Sequence, residues 1–161
     1  MRRRAGQRSA AQACHASTGW KSPMPHHRVV ITEPGPPEVL RYERVALAPP
    51  GAGEVLLRQT AIGLNYIDIQ HRTGRYPLPA YPAPIGLEAA GVVEAVGPGV
   101  AGLVPGQRVA YGSGPIGAYA EARLIPADRL VALPPAIDDA TAAAIMIKGL
   151  TAQYLLFTTY P

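Results

Sequence analysis

The sequence predicts a mainly β domain, a small distorted barrel, with a helical C-terminal segment. Glycine and proline are frequent, 17 and 18 of 161 residues, and they fall between short apolar runs, as happens where short strands are joined by turns. After Pro134-Pro135 the apolar spacing changes from that of strands to that of a helix. Hydrophobic residues make up 48% and charged residues 16%, which supports a buried core rather than a disordered chain. The length suits one domain.

The elements follow in order. Residues 28–32 read as a strand, closed by the turn-rich Glu33-Pro34-Gly35-Pro36-Pro37. Residues 39–47 alternate and read as a second strand, and Pro49-Pro50-Gly51-Ala52-Gly53 breaks the chain before a third at 54–61. Asn65 through Thr73 is a short helix, ended by Gly74 where a left-handed residue is wanted. Prolines 77, 79, 82 and 84 forbid regular structure in the next segment. Strands are expected at 88–96, 107–111, 117–125 and 129–133. Asp138 or Asp139 can cap a helix over Ala140–Lys148, interrupted by Gly149, and a second helical run covers Leu150–Thr159. No internal repeat and no second domain is visible.

Charge is unevenly spread. The net charge is +4, yet Arg2, Arg3, Arg4, Arg8, Lys21 and Arg28 precede the first acid. The rest of the chain is therefore mildly acidic, which speaks against a nucleic-acid partner. Residues 1–24 read as a disordered extension, with Met24 as an alternative start. Residues 1–23, rich in Arg, Ala, Ser and Gln and free of acids, also suit an organelle transit peptide. Cys14 is the single cysteine, so an intramolecular disulfide and a thiolate zinc cage are both excluded, and a cytoplasmic protein is expected. No apolar run is expected to reach the roughly 18–20 residues of a membrane span.

The glycine fingerprint G-x-G-x-x-G occurs twice, at Gly97–Gly102 and Gly112–Gly117. A dinucleotide site needs that loop to open a helix whose N-terminus faces the pyrophosphate. Here the first runs into Leu103-Val104-Pro105-Gly106 and the second into a strand. Both are expected to be turns.

Six segments carry a resemblance when taken together. They are Gly35-Pro36-Pro37-Glu38-Val39-Leu40; Ala61-Ile62-Gly63-Leu64-Asn65-Tyr66-Ile67-Asp68; Arg72-Thr73-Gly74-Arg75-Tyr76-Pro77; Pro84-Ile85-Gly86-Leu87-Glu88-Ala89-Ala90-Gly91-Val92-Val93; Val104-Pro105-Gly106-Gln107-Arg108-Val109; and Lys148-Gly149-Leu150-Thr151-Ala152. In this order they resemble the zinc-free quinone oxidoreductase branch of the medium-chain dehydrogenase/reductase family, over its GroES-like (chaperonin-10-like) catalytic domain. The related zinc enzymes place a Cys where Asn65 stands and a His where Leu87 stands, so the resemblance implies a metal-free site. Glu88 is at most a remnant ligand.

The resemblance implies hydride transfer from NADPH to a small-molecule quinone or enone, with residues 25–161 as the catalytic domain and the cofactor-binding half missing. Asn65 would touch both cofactor and substrate, Thr151 the cofactor and Tyr76 the substrate. Each has a plainer reading: Asn65 as an N-cap, Tyr76 as a loop anchor, Thr151 as a helix cap. Tyr66 and Tyr111 are expected to pack, Asp68 and His71 to face solvent, and His26-His27 to edge the extension. A homodimer or a complementing cofactor-domain chain would suit an incomplete enzyme. The alternatives are a non-enzymatic GroES-like scaffold or an inactive truncated product.

Overall fold

The computed structural model describes residues 25–159. The expectations for the basic extension, for Cys14 and for the start codon lie outside them. Eight strands form two antiparallel sheets. The smaller has the order β2-β1-β4, with β1 at His26–Ile31, β2 at Leu40–Val45 and β4 at Ala83–Pro84. The larger has the order β7-β3-β5-β6-β8, with β3 at Glu54–Gly63, β5 at Glu88–Val96, β6 at Arg108–Tyr111, β7 at Ala122–Pro126 and β8 at Val131–Ala132. Helix α1 spans Tyr66–Arg72 and α2 spans Asp139–Tyr154, followed by wide π-type turns over Leu155–Thr159. The mainly β reading with a helical end holds.

The two faces of the large sheet have different partners. Val55, Leu57, Ala89, Val93, Val109, Tyr111 and Ile125 point into the barrel and form its main core. Each such aliphatic side chain contributes roughly 1.5–3 kcal/mol through burial. On the opposite face Ala90 and Ala110 meet Ala142 and Ala143 of α2. Alanines on both sides let the helix lie close to the sheet. Because side chains alternate along a strand, Glu88 shares the helix-facing side of β5 with Ala90. Opposite Glu88 in the register stands Gly63, where an added Cβ would lie 2.1 Å from the Ala143 carbonyl oxygen.

Several boundaries differ from the sequence reading, each for a local reason. Only Ala122–Pro126 of the expected strand 117–125 pairs regularly; Arg28 meets Ala120 in an isolated bridge, and Gly117 sits at φ +131°. The expected strand 129–133 shrinks to two residues after a 3₁₀ turn at Ala127–Arg129. Prolines did not forbid pairing at Ala83–Pro84, because β4 needs only the edge of β1. Gly149 does not interrupt α2, since a single glycine costs a helix only about 1 kcal/mol. His26 and His27 open β1 rather than edging the extension, and His27 stacks on Tyr42.

By length and composition the segment Asp139–Thr159 could cross a membrane, against the sequence expectation. Its first half is nevertheless a docked helix. Asp138 caps it by accepting the Thr141 amide at 2.7 Å, and Asp139 accepts from Arg108 Nε at 2.8 Å and from Thr60. Both fingerprint turns open no helix, as expected.

Candidate active site

The seam between the end of β3, the start of β5 and α2 gathers three polar side chains. Asn65 Nδ2 donates to Glu88 Oε1 at 2.8 Å, and Lys148 Nζ donates to Asn65 Oδ1 at 2.9 Å. Lys148 also donates to Glu88 Oε1, and the Ile147 amide donates to Glu88 Oε2 at 2.7 Å. Glu88 is fully buried, whereas the Lys148 side chain is about half exposed at 52%. The neighbours fix the amide orientation: the reverse would set Asn65 Nδ2 against an ammonium and Oδ1 against a carboxylate. One buried carboxylate thus ties a loop, a strand and a helix together.

Asn65 occupies the N-cap position of α1 in a capping box, with its side chain turned to the Asp68 amide. Asp68 reaches back in turn, accepting the Asn65 backbone amide at 2.9 Å. The same carboxylate oxygen accepts the Tyr119 hydroxyl at 2.9 Å. Burial, and then the Asp68 charge, push the Tyr119 hydroxyl well above its ordinary pKa. Asp68 is therefore buried, contrary to the sequence expectation, and so is His71, which lies edge-on to Tyr76. A seven-residue helix pressed onto the barrel has little surface to spare. Tyr111 packs as expected; Tyr66 does not, being 71% exposed.

The other expected site residues lie elsewhere. Tyr76 lines an open hollow of about 460 Å³ with Tyr66, Ile67, Gln70 and Arg75. Thr151 is exposed and bonds only its own helix, donating to the Ile147 carbonyl at 2.7 Å. Among the described residues the site cluster joins Asn65 to neither of them. It brings in two residues to which the sequence reading gave no role in binding cofactor or substrate, Glu88 and Lys148.

Two hollows adjoin the seam on either side of Ile62 and Leu64. The larger, about 470 Å³, is lined by His27, Tyr42, Gln59, Tyr119 and Glu121, but its polar groups are already engaged, Gln59 with the Ala118 carbonyl and Tyr111, and Tyr119 with Asp68. Glu121 accepts from the His27 amide at 2.8 Å and the Tyr42 hydroxyl at 2.9 Å, which holds its carboxyl below the usual range. The smaller, about 250 Å³, is lined by alanines, Ile62, Gly63 and Leu64, with Lys148 as the member of the polar cluster that reaches it. Among the described residues no group of three or more His, Cys, Asp or Glu stands together as metal ligands would.

Two antiparallel sheets, each with its own buried cluster, and a helix laid on the outer face of the larger one define a GroES-like domain. The chain belongs to the alcohol dehydrogenase GroES-like domain family, whose model matches residues 51–135. It is 50% identical over 133 residues to a quinone oxidoreductase of Pseudomonas aeruginosa, covering 83% of this chain and 41% of that protein. It is 46% identical over 136 residues to a 2-haloacrylate reductase of Burkholderia sp, covering 81% and 41%. The solved Escherichia coli quinone oxidoreductase in complex with NADPH superimposes with a TM-score of 0.81 at 42% identity, covering 83% of this chain and 41% of that one. The chain thus spans about two-fifths of the length of these relatives.

Proposed function

We propose that residues 25–161 are the catalytic domain of an NADPH-dependent, zinc-free reductase of quinones or enones. The observation that carries this reading is the Asn65–Glu88–Lys148 cluster beside an apolar cleft. A reductase of this kind must hold a flat conjugated ring and give hydrogen bonds to an oxygen that becomes anionic. An apolar wall with a rigidly held amide and ammonium meets both needs. Alcohol oxidation would instead call for a Lewis acid to lower the hydroxyl pKa, and the Asn, Glu and Lys present here are a poor donor set for zinc.

The residues fit the nicotinamide end of NADPH, which when bound supplies the hydride. Asn65 keeps a second amide N–H, and the Thr151 hydroxyl lies open on α2; these would hold that end, with Asn65 and Tyr76 facing the substrate. The two glycine-rich turns lead into no helix, so the phosphates are expected on a cofactor-binding half, in keeping with the greater length of the relatives. A cytoplasmic location agrees with the single cysteine. The test joins this chain to the remaining part of the Pseudomonas aeruginosa relative and follows NADPH oxidation with 1,4-benzoquinone. Turnover by the chimera is expected, while the 161-residue chain alone shows no micromolar NADPH binding by calorimetry. An inactive but folded chimera would favour a non-enzymatic GroES-like scaffold.

A further inference from the structure

The hydrogen-bond capacity of the cluster can be counted. An ammonium has three N–H bonds. Lys148 gives one to Glu88 Oε1 and one to Asn65 Oδ1, and the third has no partner among the described residues. Glu88 is fully buried and already accepts from Asn65, Lys148 and the Ile147 amide. Its carboxylate is closed to solvent and cannot serve as an external base. Spare acceptor sites remain on Glu88 and Asn65, but both residues are buried, so the open valence on the half-exposed member of the cluster is the third N–H of Lys148. Lys148 is also the one polar side chain in the adjoining cleft, whose other walls are alanines, Gly63, Ile62 and Leu64.

We propose that Lys148 is the catalytic residue that binds the oxygen of the acceptor, with Glu88 as the positioning residue that keeps it an aimed ammonium. The inference rests on the reductase reading and deepens it. Hydride from the reduced nicotinamide forms the new C–H bond on the acceptor, and the conjugated electron pair moves onto the carbonyl oxygen. Lys148 receives that oxygen as an enolate through its third N–H, and solvent supplies the proton that completes the product; a quinone adduct then tautomerises to the hydroquinone, losing the ring-carbon proton and gaining one on oxygen. The nicotinamide is oxidised and the acceptor reduced by two electrons. A site whose exposed free group is a donor selects substrates with an acceptor oxygen conjugated to the reacting carbon. It offers nothing to deprotonate an alcohol.

The chain contains two lysines, Lys21 and Lys148, so carbon-13-labelled lysine gives a spectrum in which Lys148 is assigned by its loss in Lys148→Arg. The probe is 4-nitrophenolate, a stand-in for the reduced quinone anion, with neutral 4-nitroanisole as the comparison. The expected result is a saturable shift of the Lys148 signals with the phenolate and none with the anisole. Lys148→Met should weaken phenolate binding by roughly tenfold to a hundredfold, the scale of a charge-assisted hydrogen bond. Lys148→Arg should keep most of it, and an unchanged backbone amide spectrum shows that each variant is folded. Phenolate binding undiminished by Lys148→Met, or no saturable shift at Lys148, would overturn the assignment. The NADPH-dependent chimera separates the two readings. If it is inactive while the phenolate still binds at Lys148, the reductase reading fails and the anion site stands. If it is active and its kcat survives Lys148→Met, the anion site fails and the reductase reading stands.

Discussion

The two halves of α2 and its extension are both largely apolar and have opposite fates. Residues 139–148 lie on the sheet: Ala142 and Ala143 are buried, Asp139 is tied to Arg108 and Thr60, and Ile147 and Lys148 hold Glu88. Residues 149–159 carry no charge, yet Leu150, Tyr154, Leu156 and Phe157 stand exposed, Phe157 at 73%. Apolarity alone did not bury the second half. What docks the first half is a matching alanine face and a set of polar anchors, and the second half has neither. An exposed apolar run of this kind favours self-association.

The comparison breaks first at Glu88. Glu88→Ala removes the anchor shared by Asn65, Ile147 and Lys148, and should cost about 3 kcal/mol, near the lower end for a severed buried pair because Lys148 is half exposed. Chemical denaturation measures it, and a loss under about 1 kcal/mol would mean the docked half holds without its carboxylate. Glycine-to-alanine changes then give opposite signs in the two regions. At Gly63 the new methyl would press on the Ala143 carbonyl and on Glu88, which should destabilise by about 2–3 kcal/mol. At Gly149 the nearest atom is 4.0 Å away, on Ile145, and the helix should gain up to about 1 kcal/mol.

Acid tests the polar anchors of the docked half. The Thr60 hydroxyl, then Arg108, hold the Asp139 carboxyl below its ordinary pKa, despite some opposing desolvation. A group depressed on folding stabilises above its unfolded pKa. Its contribution is therefore complete above about pH 3.8, the ordinary aspartate value, and is lost as pH falls through the lower folded value. Thermal melts of Asp139→Asn should show a flatter acid limb than the parent, and an identical limb would remove Asp139 from the anchor set. The smallest effect belongs to the exposed half. Phe157→Lys should alter stability by no more than about 0.5 kcal/mol while reducing self-association in sedimentation velocity. A large loss of stability would show that the half is packed after all.

Much of this was legible before any coordinates. Strands announced themselves as apolar runs bounded by Gly and Pro, the helix cap as Asp138 or Asp139 ahead of an alanine-rich stretch, and both fingerprint turns by the lack of a following helix. What stayed hidden depends on contacts distant in sequence. Glu88 and Lys148 are 60 positions apart, and only docking of α2 on the Ala90–Ala110 face makes them partners. Asp68 is polar on a short helix and reads as surface until Tyr119, 51 positions later, is seen to bond it. Tyr66 departs in the other direction: an aromatic side chain expected to pack stands exposed.

Helix α1 begins at a residue with two duties. Asp68 meets the backbone amide of Asn65, while the Asn65 side chain serves both the capping box and the Glu88–Lys148 pair. The position works as a junction: a change of its side chain would disturb the start of the helix and the buried carboxylate together, so the group presented to the cleft is tied to the stability of the scaffold.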